Sequence, residues 1–315
     1  MTIQHFVLSN FTFKNGTTLP QVRVAYKILN LQNTKIAVVH TCFRGRIDST
    51  VTHAEGALKN HRIIIIALFG NGESSSPSNT PNFPSTIEYT DCVEAQHRLL
   101  TEELDIPEID VMLGFSMGGQ ITYHWLASHP SYIKNAVIVC SSAKTSLHNI
   151  QFLEGPKAAL QNARDEASGI RAFGKAYSAW LTSAEWFDRE LYRDIGFDSL
   201  AAWDATAAGR NYSGWAGEDL LVMLGMWQRG DAARCVPDAK GDLEVALRSI
   251  EARVLLMPCE TDQYFRPYVS EREVKSLRRG KVAVVRSVWG HIIGGGASRE
   301  DTQWMDESIE TFLRD

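Results

Sequence analysis

Five cysteines in 315 residues, Cys42, Cys92, Cys140, Cys235 and Cys259, are odd in number and too scattered for a disulfide framework. None stands at C-x-x-C spacing, so no zinc site is suggested, no metal is expected, and the thiols read as reduced core residues. Long runs of one charge are missing too. Asp and Glu number 37 against 32 Lys and Arg, and neither sign gathers into a patch, which argues against nucleic acid or an anionic membrane surface as partner. The longest aliphatic run, Ile63 to Phe69, is far too short to span a bilayer, and Met1 to His5 has no basic segment leading into an apolar one. A soluble cytoplasmic protein without a membrane partner is the expectation. The sequence shows no internal repeat and no low-complexity tract.

What is present has room for one large α/β domain or for a domain with an inserted subdomain. Residues 6 to 29 alternate apolar and polar character around Asn15-Gly16, which predicts an antiparallel hairpin. Short, nearly continuous apolar runs follow at 36–39, 63–68, 111–113, 136–139, 254–257 and 282–285. Such runs fit strands buried on both faces, as in a parallel sheet covered by helices. Ser85 and Glu88 have capping-box spacing ahead of a helix whose face carries Tyr89, Val93, Leu100 and Leu104. Strand and helix alternate until about Ala143, and strand-like runs resume only at Val254. The stretch between is helical in pattern and rich in alanine and in aromatics, including Trp180, Trp186, Trp203, Trp215 and Trp227. The predicted architecture is therefore α/β: a mostly parallel central sheet flanked by helices, with a helical lid inserted before the penultimate strand. Residues 1–144 and 251–315 form the two parts of the core, and residues 145–250 form the lid.

The chemistry concentrates at Gly114-Phe115-Ser116-Met117-Gly118-Gly119, between the apolar run 109–113 and the helical pattern from Gln120 to Ser128. Strand, sharp turn and helix are the setting of a G-x-S-x-G nucleophile elbow, which lifts the Ser116 hydroxyl clear of the sheet edge. A serine must lose its proton as it attacks, so a base must stand within reach, and a carboxylate should fix that base's tautomer. After the run 254–257 comes Pro258-Cys259-Glu260-Thr261-Asp262, and after 282–285 comes Ser287-Val288-Trp289-Gly290-His291. Loops after successive parallel strands open on one sheet edge, so Asp262 and His291 can converge on Ser116. Glu260 competes with Asp262; Asp231, Asp238 and Asp242 are weaker candidates within the insertion. The oxyanion needs donors in place: the Met117 N–H, and a second from the loop His40-Thr41-Cys42-Phe43-Arg44-Gly45, where Phe43 or Cys42 could supply it. His40 and Arg44 read as structural or solvated rather than as pocket groups.

With those residues named, the chain resembles the homoserine O-acetyltransferase family of α/β-hydrolases, and its shorter, acetate-esterase-like branch in particular. Gly70 to Thr80 (GNGESSSPSNT) carries the most specific match, joined by Gly114 to Gly119, Ser142 to Asn149, Phe152 to Gly155, Asp262 to Phe265 and Gly290-His291. The resemblance implies an α/β-hydrolase fold and acyl transfer through an acyl-serine. By position it carries nucleophile, acid and base to Ser116, Asp262 and His291, and the oxyanion donors to Phe43 and Met117. It implies no metal, and often homodimers whose lids touch. The seryl-rich stretch 74–78 itself reads as a rigid connector. One departure matters. His291 runs on into Ile292-Ile293-Gly294-Gly295-Gly296, unlike the acidic-aromatic continuation common in the true transacetylases, and no arginine is assigned by position to a substrate carboxylate.

These readings lead to a carboxylesterase acting on a short-chain acetyl ester, a small-molecule partner, with no cofactor. The alternatives are an O-acetyltransferase taking acetyl-CoA as co-substrate to homoserine or another alcohol, and a noncatalytic binder on the same scaffold.

Overall fold

The computed structural model describes residues 2–315. The hairpin comes first: β1 (Gln4–Thr12) and β2 (Thr18–Leu29) pair antiparallel across a turn in which Asn15 accepts the Thr17 N–H and Gly16 takes φ +88°. The apolar runs then become β3 (Ile36–His40), β4 (Arg62–Ile66), β5 (Ile109–Phe115), β6 (Ile133–Val139), β7 (Arg253–Met257) and β8 (Gly280–Val282). All eight strands form one sheet in the order β1-β2-β4-β3-β5-β6-β7-β8. From β4 to β8 every pairing is parallel, so the carboxyl ends of these strands share one edge.

Helices α1 (Tyr89–Arg98) and α2 (Met117–Ser128) follow β4 and β5. Between β6 and β7 lie α3 (Leu147–Gln161), α4 (Glu166–Ser178), α5 (Ala184–Asp188), α6 (Leu200–Trp203), α7 (Gly217–Gln228) and α8 (Leu243–Ser249). Helices α9 (Pro267–Glu273) and α10 (Arg299–Arg314) complete the chain. Strand residues alternate between two cores. Val38, Ile64 and Met112 face α1 and α2, while Ala37, Val39, Ile63 and Leu113 share the opposite core with Met305, Ile309 and Phe312 of α10. The first core runs without a break into Leu153, Phe173 and Trp227 of the helices before β7.

Two local expectations are corrected. Ser85 does not cap α1; Glu88 does, because Asp91 reaches back to the Glu88 N–H at 2.7 Å and its other oxygen takes the Lys14 N–H, tying the helix to the hairpin. A π-turn at Leu99–Glu103 then ends the helix, burying Leu100 and leaving Leu104 half-buried. The run 282–285 is the tail of a shorter strand, since β8 stops at Val282 and Val285 rejoins the sheet by a single bridge to Cys259. Pro258 stands between them and has no N–H to continue the ladder, although its carbonyl accepts the Val285 N–H at 2.8 Å.

Candidate active site

Ser116 is the one residue between the end of β5 and the start of α2, held at φ +57°, ψ −124°. A side chain in that region costs on the order of 1–3 kcal/mol, so the surroundings must impose it. Its N–H donates to Val139, and its carbonyl accepts the N–H groups of Gly119 and Gln120 and the hydroxyl of Ser141. The glycines make the turn possible. A Cβ at 114 would lie 2.0 Å from the Gly118 carbonyl oxygen, one at 118 would lie 2.9 Å from the His40 oxygen, and one at 119 would meet Ser141 at 2.5 Å.

His291 lies in a 3₁₀ segment, Gly290–Gly295, that follows the loop after β8. Its Nε2 is 2.9 Å from Ser116 Oγ and its Nδ1 is 2.7 Å from Asp262 Oδ2. A carboxylate facing Nδ1 keeps the proton there, leaving Nε2 free to accept the serine O–H. The other oxygen of Asp262 accepts the Tyr264 and Phe265 N–H groups, both at 3.0 Å, which fixes the carboxylate in turn. All three side chains are buried, and the rings of Phe115, Tyr264 and Phe265 pack around the imidazole at 4.8, 4.3 and 5.5 Å. Glu260, the competitor, is exposed and contributes only backbone to the sheet edge. Asp231 pairs with Lys144, Asp242 caps α8, and Asp238 is exposed.

Met117 opens α2, so its N–H has no carbonyl one turn below it and is free to point at an oxyanion. Phe43 sits in the loop after β3, and among the described residues its N–H takes no backbone acceptor. Both loops border a cavity of about 320 Å³ whose wall includes Ser116, His291 and Phe43. Arg44 also lines it, with its side chain exposed and in the left-handed backbone region at φ +64°. His40 lines it too, so neither residue is outside the pocket as the sequence suggested; the imidazole is buried and its pKa falls to about 3, so it is neutral. The 70–80 loop behaves as a connector. Ser74 Oγ accepts the Ala25 N–H and donates to the Ala67 carbonyl, Asn71 Oδ1 receives the N–H groups of Glu73 and Ser74, and Ser78 bonds Asp219 of α7.

Several neighbours escaped the sequence. Thr261 Oγ1 accepts the Gly290 N–H and donates to Ser287, tying the acid loop to the base loop. The segment after α4 is stitched to both: Gln263 donates to the Ala179 and Thr182 carbonyls, Ser183 donates to Val288, and Ile292 donates to Leu181. Gly290 permits that contact, since a Cβ there would lie 2.7 Å from the Thr182 carbonyl carbon. Cys140, at φ +44°, puts its sulfur within 4.8 Å of an Asp262 carboxylate oxygen and a His291 ring nitrogen. Only the short apolar run before it marks its place at a strand end.

Elbow, sheet and converging loops define a serine-nucleophile enzyme. The chain belongs to the alpha/beta hydrolase fold family, whose model matches residues 43–293. It is 28% identical to ethyl acetate hydrolase from Pseudomonas veronii over 93% of this chain and 89% of that one. The structure of the acetyl esterase MekB superimposes with a TM-score of 0.92 at 27% identity, covering 100% of this chain and 97% of the other. A homoserine O-acetyltransferase from Methanococcoides burtonii is more distant, 22% identical over 88% of this chain and 66% of its own length.

Proposed function

We propose that this protein is a carboxylesterase that cleaves short-chain acetyl esters through an acyl-enzyme on Ser116. His291 Nε2 takes the hydroxyl proton as Oγ bonds to the ester carbonyl carbon, and Asp262 stabilises the imidazolium. The carbonyl oxygen becomes an oxyanion held by the Phe43 and Met117 N–H groups. When the adduct collapses, the bond to the alcohol oxygen breaks and His291 returns the proton to the departing alkoxide. Water then repeats the sequence: His291 takes its proton, hydroxide attacks the acyl carbon, acetate departs and Ser116 regains its hydrogen. No metal or cofactor enters this scheme.

The observation that carries the reading is the 2.9 Å contact between His291 and Ser116, backed by the 2.7 Å contact to Asp262. Hydrolysis is favoured over transfer to an amino acid because much of the cavity wall beside Ser116 is apolar, as at Val39, Leu113 and Phe115. An acetyl-CoA-dependent transfer is the second reading, supported by the likeness to homoserine O-acetyltransferases. The helices before β7 act as a lid, and the same resemblance makes a homodimer through them the expected assembly, with Leu147 there 84% exposed. The five cysteines are unpaired, as suits work in the cytoplasm.

A chromogenic acetate ester tests the reading. The protein should turn it over, and Ser116→Ala should lower kcat/KM by at least about 10⁴-fold. Full activity in that variant would overturn the assignment. Acetyl transfer to added homoserine outrunning acetate release would replace the hydrolase with the transferase.

A further inference from the structure

The donor assigned to Phe43 sits on a short turn with few bonds of its own. The Gly45 N–H closes it by donating to the Cys42 carbonyl at 2.9 Å. Phe43 is its second residue and Arg44, at φ +64°, its third, so the Phe43 N–H takes no part in the closing bond. Gly45 has to be glycine, since a Cβ there would lie 2.7 Å from the Cys42 nitrogen. On the β3 side the turn is tied by Thr41, whose N–H donates to Ile66 and whose Oγ1 accepts the Leu68 N–H. The other end is held by side chains.

Two groups of contacts meet there. The 70–80 loop supplies the first: Asn71 Nδ2 donates to the Gly45 carbonyl at 3.4 Å, and the Glu73 carboxylate accepts the Ile47 N–H at 3.0 Å. The turn Tyr212 to Trp215, just before α7, supplies the second. The Tyr212 ring lies 6.0 Å from the Phe43 ring, and the Arg46 guanidinium lies over the Trp215 ring, its carbon 3.7 Å from the centroid. Arg46 joins the two groups. Its Nη1 donates to the Asn71 carbonyl and its Nη2 to the Gly214 carbonyl at 3.5 Å. Gly72, at φ +84°, leaves room for that guanidinium, because a Cβ there would lie 2.6 Å from Nη1. Arg46 is half-buried one residue beyond the turn, and the cavity wall passes from Gly45 to Ser49 without it.

Resting on the esterase reading above, with the Phe43 N–H as an oxyanion donor, we propose that Arg46 is a positioning residue for the oxyanion hole. Its guanidinium clamps the donor turn to the 70–80 loop and to the Tyr212–Trp215 turn, and so fixes where the Phe43 N–H points. A planar guanidinium suits the task, since its face stacks on an indole while its edge donates to two carbonyls. A lysine ammonium is a point charge and cannot do both. Because the oxyanion exists only after Oγ has attacked, a displaced turn costs transition-state stabilisation and leaves ester binding nearly unchanged. The 70–80 loop, a connector by its own bonds, thereby acquires a part in the site.

Turnover of ethyl acetate, measured beside inhibition by 1,1,1-trifluoroacetone, tests the clamp. Ser116 Oγ bonds to the carbonyl carbon of this ketone, His291 takes the serine proton, and the ketone oxygen becomes an anion that needs the same donors. Arg46→Gln should lower kcat at least about tenfold, short of the roughly 10²–10³-fold loss of a whole donor, with KM within about twofold. The inhibition constant of trifluoroacetone should rise by the factor by which kcat/KM falls. Arg46→Lys should stay within about threefold of Arg46→Gln, because charge alone does not restore the stack. Trp215→Leu should repeat the loss in kcat, and Trp215→Phe, which keeps an aromatic face, should lose less, so the contact can be read even if an arginine variant fails to fold. Unchanged kcat and inhibition constant in Arg46→Gln and Trp215→Leu would overturn the clamp and leave the esterase reading in place. So would a loss carried by KM with the inhibition constant unmoved, or full recovery in Arg46→Lys. Failure of the unaltered protein to turn over any short acetate ester would instead bring down the esterase reading itself.

Discussion

At the scale of single residues, the site is built from groups whose cost is offset by their neighbours. Ser116 keeps a left-handed backbone because its N–H and carbonyl are fixed by β6, α2 and Ser141. Glu273 shows the same economy away from the chemistry. It is buried at the end of α9, accepts the Tyr123 hydroxyl at 2.7 Å and the Ala143 N–H at 2.9 Å, and so anchors the point where the chain leaves the sheet for the long helical stretch. Burial pushes its pKa up to about 7, against the pull of those two donors. Between pH 4.5 and 7 the unfolded chain releases this proton while the folded one keeps it, so this group's contribution to stability falls as pH rises. Glu273→Gln copies the protonated acid and removes that dependence. Urea unfolding should show the stability of the original protein relative to the variant dropping by about 3 kcal/mol across that window. A difference that stays flat with pH would show that Glu273 is not titrating there. His40 and His124, lowered by burial to about 3 and about 4, slope the other way and weaken the fold as pH falls below about 6.5.

At the scale of elements, the critical unit is β5, the elbow and α2. Gly118 lets the first turn of α2 approach the end of β3, whose following loop carries Phe43. Gly118→Ala would press a methyl group against the His40 carbonyl, moving apart the Phe43 and Met117 N–H groups proposed to hold the oxyanion. Stability should fall by about 1–3 kcal/mol, and kcat should fall more than KM rises, because the oxyanion forms only after binding. Unchanged kcat in a folded variant would detach this contact from catalysis. Elements of this kind were legible in the sequence because their signals are local. The apolar runs gave the parallel strands, and G-x-S-x-G placed Ser116. Features set by distant partners were not legible. The cap of α1 moved from Ser85 to Glu88 because Asp91 is held by Lys14, which is far away in sequence. The last strand ended early because Pro258 interrupts the neighbouring strand's donors. Likewise, Thr182 and Cys140 reach the site only through tertiary contacts, and Thr261, though next to Asp262, gains its role only from its bonds to Gly290 and Ser287; a lone threonine or cysteine carries no spacing to read.

At the scale of the molecule, the helices before β7 are not an appendage. Leu153, Phe173 and Trp227 share the core of α1 and α2, and residues 179–183 bond to the loops that carry Asp262 and His291. The parallel sheet brings the loops after β5, β7 and β8 to one edge, and those bonds set their final spacing. Displacing this helical stretch would therefore disturb the base as well as the cavity. The central claim is that this convergence makes Ser116 the nucleophile, and rapid quenching of the enzyme with an acetate ester, followed by intact-mass and peptide analysis, tests it most directly. One acetyl group should appear on the peptide containing Ser116 within the first turnover and be absent in Ser116→Ala. Product formation with no acetyl group on that peptide, or with the label on another residue, would contradict the account.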